Sequence, residues 1–389
     1  MDDVYIIGTG MTKIAEHWEI SLRDLLVEAS LKAVDDASIS LKDIEGIFVG
    51  NMSSGYLQGQ EHLGSLLATW LGIPGTAACK VEAACASGGV AFHQAVLSIL
   101  SGLYDCVLVA GVEKMTDAIT SDITTALIMA DDQEYVAGIG ATFVGLNALV
   151  YRTYMEKYGV KEEDIALFPV HCHKYAQYNP YARFRNPISV EDVLRSPFIA
   201  DPIRLLDSSP ICDGSAAIIL CSENFLKKNG GRDNLVKVLA SSVATDTFSL
   251  NDREDITTLS ATKIAFKKAL KIAHIEMNQI DLMEIHDAFS ILGVIHLEDL
   301  GFAEKGKGTM LIKEGQLEYD GKIPTNISGG LKGRGHPIGA TGIYQIVEVA
   351  RQLMGKFDGK QVPDPSIGLA QNVGGVGGTV SINILKRVR

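Results

Sequence analysis

The chain lacks most of the devices that announce a cofactor, a membrane or a disulfide scaffold. Its six cysteines, spread over 389 residues, form no CxxC pair and no dense framework, which argues against a zinc ribbon or a stapled fold. No apolar run approaches the roughly 18 residues of a membrane span; "AAIIL" at 216–220 is representative. Basic residues are the minority, 35 Lys and Arg against 47 Asp and Glu for a formal charge of −12. That balance disfavours nucleic acid or an anionic membrane as partner, and only a local spot such as "ARFRNP", with Arg183 and Arg185, could meet a phosphate. "GTGMTK" carries Lys13 where a dinucleotide fingerprint needs its third glycine, and no Walker sequence occurs. The start "MDDVYIIGTG" has neither a basic n-region nor a cleavable apolar stretch, so the expectation is a cytoplasmic protein with reduced thiols.

What is present is ordinary globular composition, 47% hydrophobic and 21% charged, with room for two packed domains. "VYIIGTG" reads as a strand, "SLRDLLVEASLKAVDDA" as an amphipathic helix opened by Ser21 with Asp24 at its third position, and "IEGIFVGNM" as a buried strand. This is βαβ grammar and an α/β fold class.

The chain also repeats itself. "AVDDASISLKDIEGIFVGNM" returns as "ALKIAHIEMNQIDLMEIHDA", Ile44 matching Ile280 at a shift of 236 (280 − 44). "CASGGVAFHQAVLSI" lies over "HPIGATGIYQIVEVA" at a shift of 251 (336 − 85), so that Cys85 falls opposite His336. "CVLVAG" corresponds to "SIGLAQ" at a shift of 260 (369 − 109). Two related α/β units, roughly 1–120 and 235–389, are expected to pack by pseudo-twofold symmetry, with 121–234 inserted. The inserted stretch, rich in aromatics and turn formers as in "HKYAQYNPYARFRNPISVEDVL", reads as a lid of irregular chain and short helices. Its last segment, "SAAIILCSENF", reads as a strand returning to the first unit.

In "VEAACASGG" the small residues around Cys85 permit a sharp turn from strand to helix, and a helix N-terminus favours a thiolate. The competing reading is a small buried hydrophobe, which we adopt for Cys79, Cys106, Cys212 and Cys221. "GGLKGRGHPIGATG" sets His336 before Pro337, a residue suited to a first helical turn; there it is either a base for a nearby thiol or a partly exposed cap. The repeat favours the base, since it brings Cys85 and His336 to equivalent helix starts. Lys332 and Arg334 precede it, near the base or solvated. In "EIHDAFS" a strand ends on His286 and Asp287, at the end where open sheets place ligands; Asp287 is expected to cap the next helix. "QNVGGVGGTV" lets backbone N–H groups approach a ligand as an oxyanion hole, or is a tight bend. "HCH" at 171–173 has no second ligand cluster, so these histidines are expected on the lid surface and no metal site is assigned. His17, His62, His93, His274 and His296 have no motif context.

Together "VEAACASGG", "HDAFS", "GGLKGRGHPIGATG" and "NVGGVGG" resemble the thiolase superfamily over nearly the whole chain. "GATFVGLNALVYRTYMEKYG" and "NPYARF" are similar to its sterol carrier protein type and archaeal acetyl-CoA acetyltransferase members. The resemblance implies a thiolase fold: two duplicated βαβαβαββ halves in an αβαβα sandwich, with an N-terminal half 1–234 containing a lid at about 121–205 and a C-terminal half 235–389. It implies condensation of two acetyl-CoA to acetoacetyl-CoA through an acetyl-Cys85 intermediate, as a first step of the mevalonate route to isoprenoids. Coenzyme A enters as thioester substrate, with no prosthetic group. His336 would activate the thiol, His286 would hold a water or the thioester oxygen, and the N–H groups of Cys85 and Gly374 would form the oxyanion hole. Asn372 stands where thiolases usually carry a second catalytic cysteine, and Ala288 where some sterol carrier relatives carry it. Asn372, Arg183, Arg185 and Ser249 are candidates for substrate contact. The family implies a homodimer or homotetramer, and an assembly with hydroxymethylglutaryl-CoA synthase and a small zinc-ribbon/OB-fold protein. The alternatives are thiolytic or retro-aldol cleavage of a larger acyl-CoA, and a coenzyme A-binding scaffold without turnover.

Overall fold

The duplication is written into local geometry before any packing is considered. In the computed structural model, which describes residues 3–231 and 235–388, the helix Leu22–Ala37 ends on Ser38 in the left-handed region (φ 46°), and the helix Ser260–Ala273 ends on His274 likewise (φ 54°). Each is followed by a one-turn 3₁₀ helix, Leu41–Asp43 and Met277–Gln279, closed by reciprocal side-chain caps from Ser40 with Asp43 and from Glu276 with Gln279. All of these pairs keep the shift of 236 (274 − 38; 277 − 41).

The strands in chain order are β1 Val4–Met11, β2 Gly46–Gly50, β3 Ala77–Val81, β4 Cys106–Glu113, β5 Phe198–Ala200, β6 Ile203–Arg204, β7 Gly214–Ser222, β8 Leu235–Thr245, β9 Leu282–Glu284, β10 Ile367–Gly374 and β11 Thr379–Val388. Nine of them form one sheet in the order β3-β2-β4-β7-β1-β8-β11-β10-β9, while β5 and β6 pair separately. The run β2-β4-β7-β1 is repeated by β9-β10-β11-β8: in each half one parallel pair is followed by two antiparallel ones. Within the sheet the halves join at β1 and β8, where the described residues give two pairs, Tyr5↔Lys237 and Ile6↔Val236. The expected junction at residue 234 lies outside the described residues. β4 and β7 are buried along their whole length, because helices cover both faces; hence their continuous rather than alternating apolar sequence.

The helix Leu22–Ala37 packs outside the first half on β1 and β7, and Ser260–Ala273 outside the second on β8 and β11. The helices Ser87–Leu100 and Thr341–Leu353 lie between the halves: the first touches β2 and β4 of its own half and β11 of the other, the second β10 of its own half and β7 of the other. Their crossing is made of glycines, of which Gly88 and Gly339 stand at equivalent places. A Cβ on Gly88 would sit 2.9 Å from the Gly339 carbonyl, and one on Gly342 would collide with the Gly89 nitrogen and Asn372 Oδ1. No other residue allows the two helix starts this approach.

Between β4 and β7 the chain is more helical than its composition suggests, with Phe143–Tyr158 at 16 residues and Leu167–Ala176 at 10. The first is capped by Thr142 onto the Gly145 N–H and ended by Gly159 in the left-handed region. The expectation of surface histidines at 171–173 fails. Both are buried (4% and 3% exposed), because Leu167–Ala176 packs on the glycine loop 329–334 so closely that Cβ atoms on Gly329 or Gly333 would strike Ala176. His171 Nε2 bonds the Thr325 carbonyl at 2.8 Å, and His173 Nδ1 the Asn186 carbonyl at 2.9 Å. Among the described residues no helix is long and apolar enough to cross a membrane.

Candidate active site

The Cys85 turn is strained and stapled. Ala84 lies in the left-handed region (φ 50°), which costs an L-residue about 1–2 kcal/mol. Ser87 Oγ holds the turn by accepting from the Ala83 N–H at 2.9 Å and donating to the Ala84 carbonyl at 2.6 Å. His336 comes from the second half on the loop ahead of its central helix. Its Nδ1 lies 2.6 Å from Thr341 Oγ1, whose own hydrogen goes to the Pro337 carbonyl at 3.0 Å. The pattern assigns the proton to Nδ1 and leaves Nε2 with a lone pair. His286 follows β9. Asn372 Nδ2 donates to its Nδ1 at 3.3 Å, the opposite tautomer, which leaves Nε2 as a donor.

These three side chains converge. Cys85 Sγ and a ring nitrogen from each of His286 and His336 lie within 4.8 Å of one another, all buried, and the rings meet edge to face at 5.1 Å. The trio is also the only cluster of three His, Cys, Asp or Glu among the described residues placed to share a metal ion.

Its electrostatics differ from the sequence expectation of a stabilised thiolate. Burial first, and the Glu113 carboxylate second, push the Cys85 thiol up to about 12, against the N–H groups of Gly375 and Cys85 itself, which favour the anion. The amide aimed at the sulfur is thus that of Gly375, one residue beyond the expected Gly374. Burial and the Arg334 charge hold His336 down to about 3; burial, then the charges of His336 and His296, hold His286 well below the usual range. The resting site is a neutral thiol beside two neutral imidazoles.

Several supporting residues were not visible in the sequence. Glu113 ends the all-buried β4 and accepts from Asn51 Nδ2, Ser53 N–H and Oγ, Met52 N–H and Gly339 N–H, tying the first half to the His336 loop. Asn326 (φ 53°) accepts from the Ile285 N–H at 2.7 Å and donates to Asp287 at 2.8 Å. Asp287 does not cap the next helix: Ser290–Asp299 begins without a side-chain cap, and the carboxylate instead takes the Leu331 and Lys332 N–H groups and the Cys172 thiol. Cys212, read as a plain hydrophobe, is buried and also accepts the His336 N–H at 3.1 Å. Cys79 is exposed rather than buried, because β3 is the sheet edge.

A cavity of about 510 Å³ opens onto Cys85 and His336, walled by Ile123, Leu127, Phe143, Phe289 and the segment Leu205–Ile211 among others. Of the expected substrate contacts, none of Asn372, Arg183, Arg185 and Ser249 lines it. Asn372 is buried behind Cys85, donating to its carbonyl at 2.9 Å and accepting the Gly89 N–H at 3.1 Å. Arg183 pairs with Glu16, Arg185 bonds the Gln177 carbonyl, and Ser249 is buried at the start of the turn Leu250–Asp252. Lys332 and Arg334 are buried, not solvated. Lys332 lines the cavity; Arg334 pairs with Glu348 under Tyr344.

A thiol comes from the first half of the duplicated sheet and two imidazoles from the second, and family models match the same two halves. Residues 4–224 match the family described as "Thiolase, N-terminal domain", and 242–387 that described as "Thiolase C-terminal domain-like". The chain belongs to the thiolase family. It is accordingly an acyltransferase. It is 46% identical over 387 residues to the acetyl-CoA acetyltransferase of Methanothermobacter thermautotrophicus, covering 100% of both chains. Human sterol carrier protein 2 is 33% identical over 396 residues, covering 98% of this chain and 72% of that one. Among solved structures, the Ltp2-ChsH2(DUF35) aldolase superposes with a TM-score of 0.85 at 22% identity, covering 99% and 97% of the two chains. The Acat5 thiolase of Ascaris suum in complex with coenzyme A gives 0.75 at 21%, covering 99% and 100%. Both share the fold of this thiolase.

Proposed function

We propose that this thiolase condenses two molecules of acetyl-CoA to acetoacetyl-CoA through an acetyl-Cys85 intermediate. The observation that carries the reading is the pair of histidines in opposite tautomers against one thiol. His336 Nε2 takes the thiol proton as sulfur attacks the thioester carbonyl, then returns it to the departing coenzyme A sulfur. The oxyanion forms beside the N–H groups of Gly375 and Cys85. Neutral again, His336 removes an α-proton from a second acetyl-CoA while His286 Nε2–H bonds the enolate oxygen. The carbanion attacks acetyl-Cys85, and the released thiolate recovers its proton from His336. One base serves both half-reactions, so no second thiol is required where Asn372 and Ala288 stand. The names of the archaeal relatives support acetyl-CoA as substrate.

The wider setting belongs to the same reading: a cytoplasmic enzyme of the mevalonate route, assembled with hydroxymethylglutaryl-CoA synthase and a small zinc-ribbon/OB-fold protein. The Ltp2-ChsH2(DUF35) aldolase couples a DUF35 protein to Ltp2 in its name, which supports a partner of that sort. A homodimer is supported by β3, an edge strand open on one side. Mass spectrometry after incubation with acetyl-CoA tests the chemistry. Wild type should gain one acetyl group on Cys85, and Cys85→Ala none. If neither the enzyme alone nor the enzyme with its partners is acetylated or exchanges acetyl groups with coenzyme A, the reading fails. Retro-aldol cleavage, which needs no acyl-enzyme, would leave Cys85 unmodified.

A further inference from the structure

Lys332 is a cation in an apolar wall. It is 3% exposed, yet it lines the cavity together with Cys85, Phe184, Ser208 and Phe289. Among the described residues its ammonium has one hydrogen-bond partner, the Ser208 carbonyl at 2.7 Å, and an ammonium carries three donors. Its fourth side is the Phe184 ring, 5.5 Å away.

Two carboxylates act on its charge, Asp207 and Asp287. Each is already engaged: Asp207 by Ser290 Oγ at 2.5 Å and the Arg204 N–H at 3.1 Å, Asp287 by the N–H groups and side chains named above. Two negative charges against one positive, they more than offset the ammonium without taking up its hydrogens. A third carboxylate would enlarge that negative excess away from water, which is costly. A neutral oxygen would not.

We propose that Lys332 donates a hydrogen bond to a neutral carbonyl oxygen of the thioester bound in the cavity, making it a specificity-determining residue of the site. This rests on the reading of the cavity as the coenzyme A thioester site. The thioester and the inner pantetheine amide are common to every substrate and face the reacting end; the oxygen assigned to Lys332 is one of the two that vary, the 3-oxo group of a β-ketoacyl chain or the outer amide of the pantetheine arm.

The test compares wild type and Lys332→Met in kcat/KM with acetyl-CoA, acetoacetyl-CoA and their N-acetylcysteamine analogues, which lack the outer amide. The variant should lose about tenfold or more, the size of a lost hydrogen bond to a charged group, but only on some substrates. Loss on both coenzyme A esters and neither short analogue assigns the outer amide. Loss on both acetoacetyl esters and neither acetyl ester assigns the 3-oxo group. Equal loss on all four, or none, reduces Lys332 to a prop for Ser208 and overturns the proposal. A wild-type crystal soaked with acetoacetyl-CoA is independent of how the variant folds. Nζ should lie within 3.2 Å of a ligand carbonyl, as hydrogen-bond geometry requires, and contact with Ser208 alone refutes it. Failure of wild type to acetylate Cys85 would instead sink the underlying reading.

Discussion

Replacing Asn372 separates the residue's place in the family pattern from its work in this molecule. The family pattern invites Asn372→Cys as a restored second thiol. The structure predicts a loss. The amide of Asn372 bonds the Cys85 carbonyl, the Gly89 N–H and His286 Nδ1, all buried between the two central helices. Alanine or cysteine there leaves a buried carbonyl and a buried N–H without partners, each costing about 1–3 kcal/mol. After allowing for the asparagine's own burial, the net is about 2–4 kcal/mol. An unfolding entropy of about 2.1 cal/mol/K per residue gives about 0.8 kcal/mol/K for 389 residues, hence a Tm lower by about 3–5 °C. The loss of activity should be larger, because the amide fixes both Cys85 and His286, and displacements of about 1 Å cost on the order of 100-fold. Calorimetry and single-turnover acetylation measure the two effects. An Asn372→Cys enzyme that melts with wild type and condenses faster would refute the clamp and reinstate the missing-thiol account.

Other outcomes follow from the same geometry. His336 and His296 are each held from 6.5 down to about 3, mainly by burial. Both are neutral in the fold, so their stabilisation is complete above pH 6.5 and is lost as pH falls toward 3. Below 6.5 each should contribute a slope of about 1.4 kcal/mol per pH unit. Urea melts between pH 7 and 5 should show it, and His296→Asn should flatten it; an unchanged slope in the variant contradicts the assignment. Alkylation of Cys85 by iodoacetamide should rise steadily with pH past 9, since the thiol sits near 12, and a plateau near pH 6 would reveal an ion pair that the structure excludes. Gly342→Ala, whose Cβ would strike the Gly89 nitrogen and Asn372, should cost about 3 kcal/mol or more as overpacking without room to relax; a soluble variant with wild-type Tm would show that the crossing can open. Zn²⁺ should inhibit by capturing Cys85, His286 and His336, reversibly on chelation, and Cys85→Ala should bind it more weakly by calorimetry.

The duplication was legible because it is a matter of spacing. Ser38 and His274, or Cys85 and His336, can be aligned without knowing where they lie, and the alignment alone brings thiol and base together. The glycines of "ASGG" and "PIGATG" were legible as turn formers, though not as the crossing of two helices. What escaped is whatever depends on a partner far along the chain. Asn372 looked like a vacancy left by a cysteine because its contacts, Cys85 and Gly89, lie 287 and 283 residues away. The histidines at 171–173 sit in a polar-looking run, and nothing there shows that the glycines of 329–333 have cleared a groove for their helix. Lys332 and Arg334 flank glycines in a loop, where solvation is the ordinary expectation; their burial is set by carboxylates from β9, the Thr341–Leu353 helix and the inserted region.

Because the reactive sulfur and the proton acceptor stand at equivalent positions about the pseudo-twofold, the reaction centre lies on the axis itself. Two identical chains related by a true axis would set like against like there, sulfur facing sulfur or ring facing ring. Opposing unlike groups requires the two copies to differ in sequence, and fusion within one chain lets them diverge while ensuring that every first half meets a second.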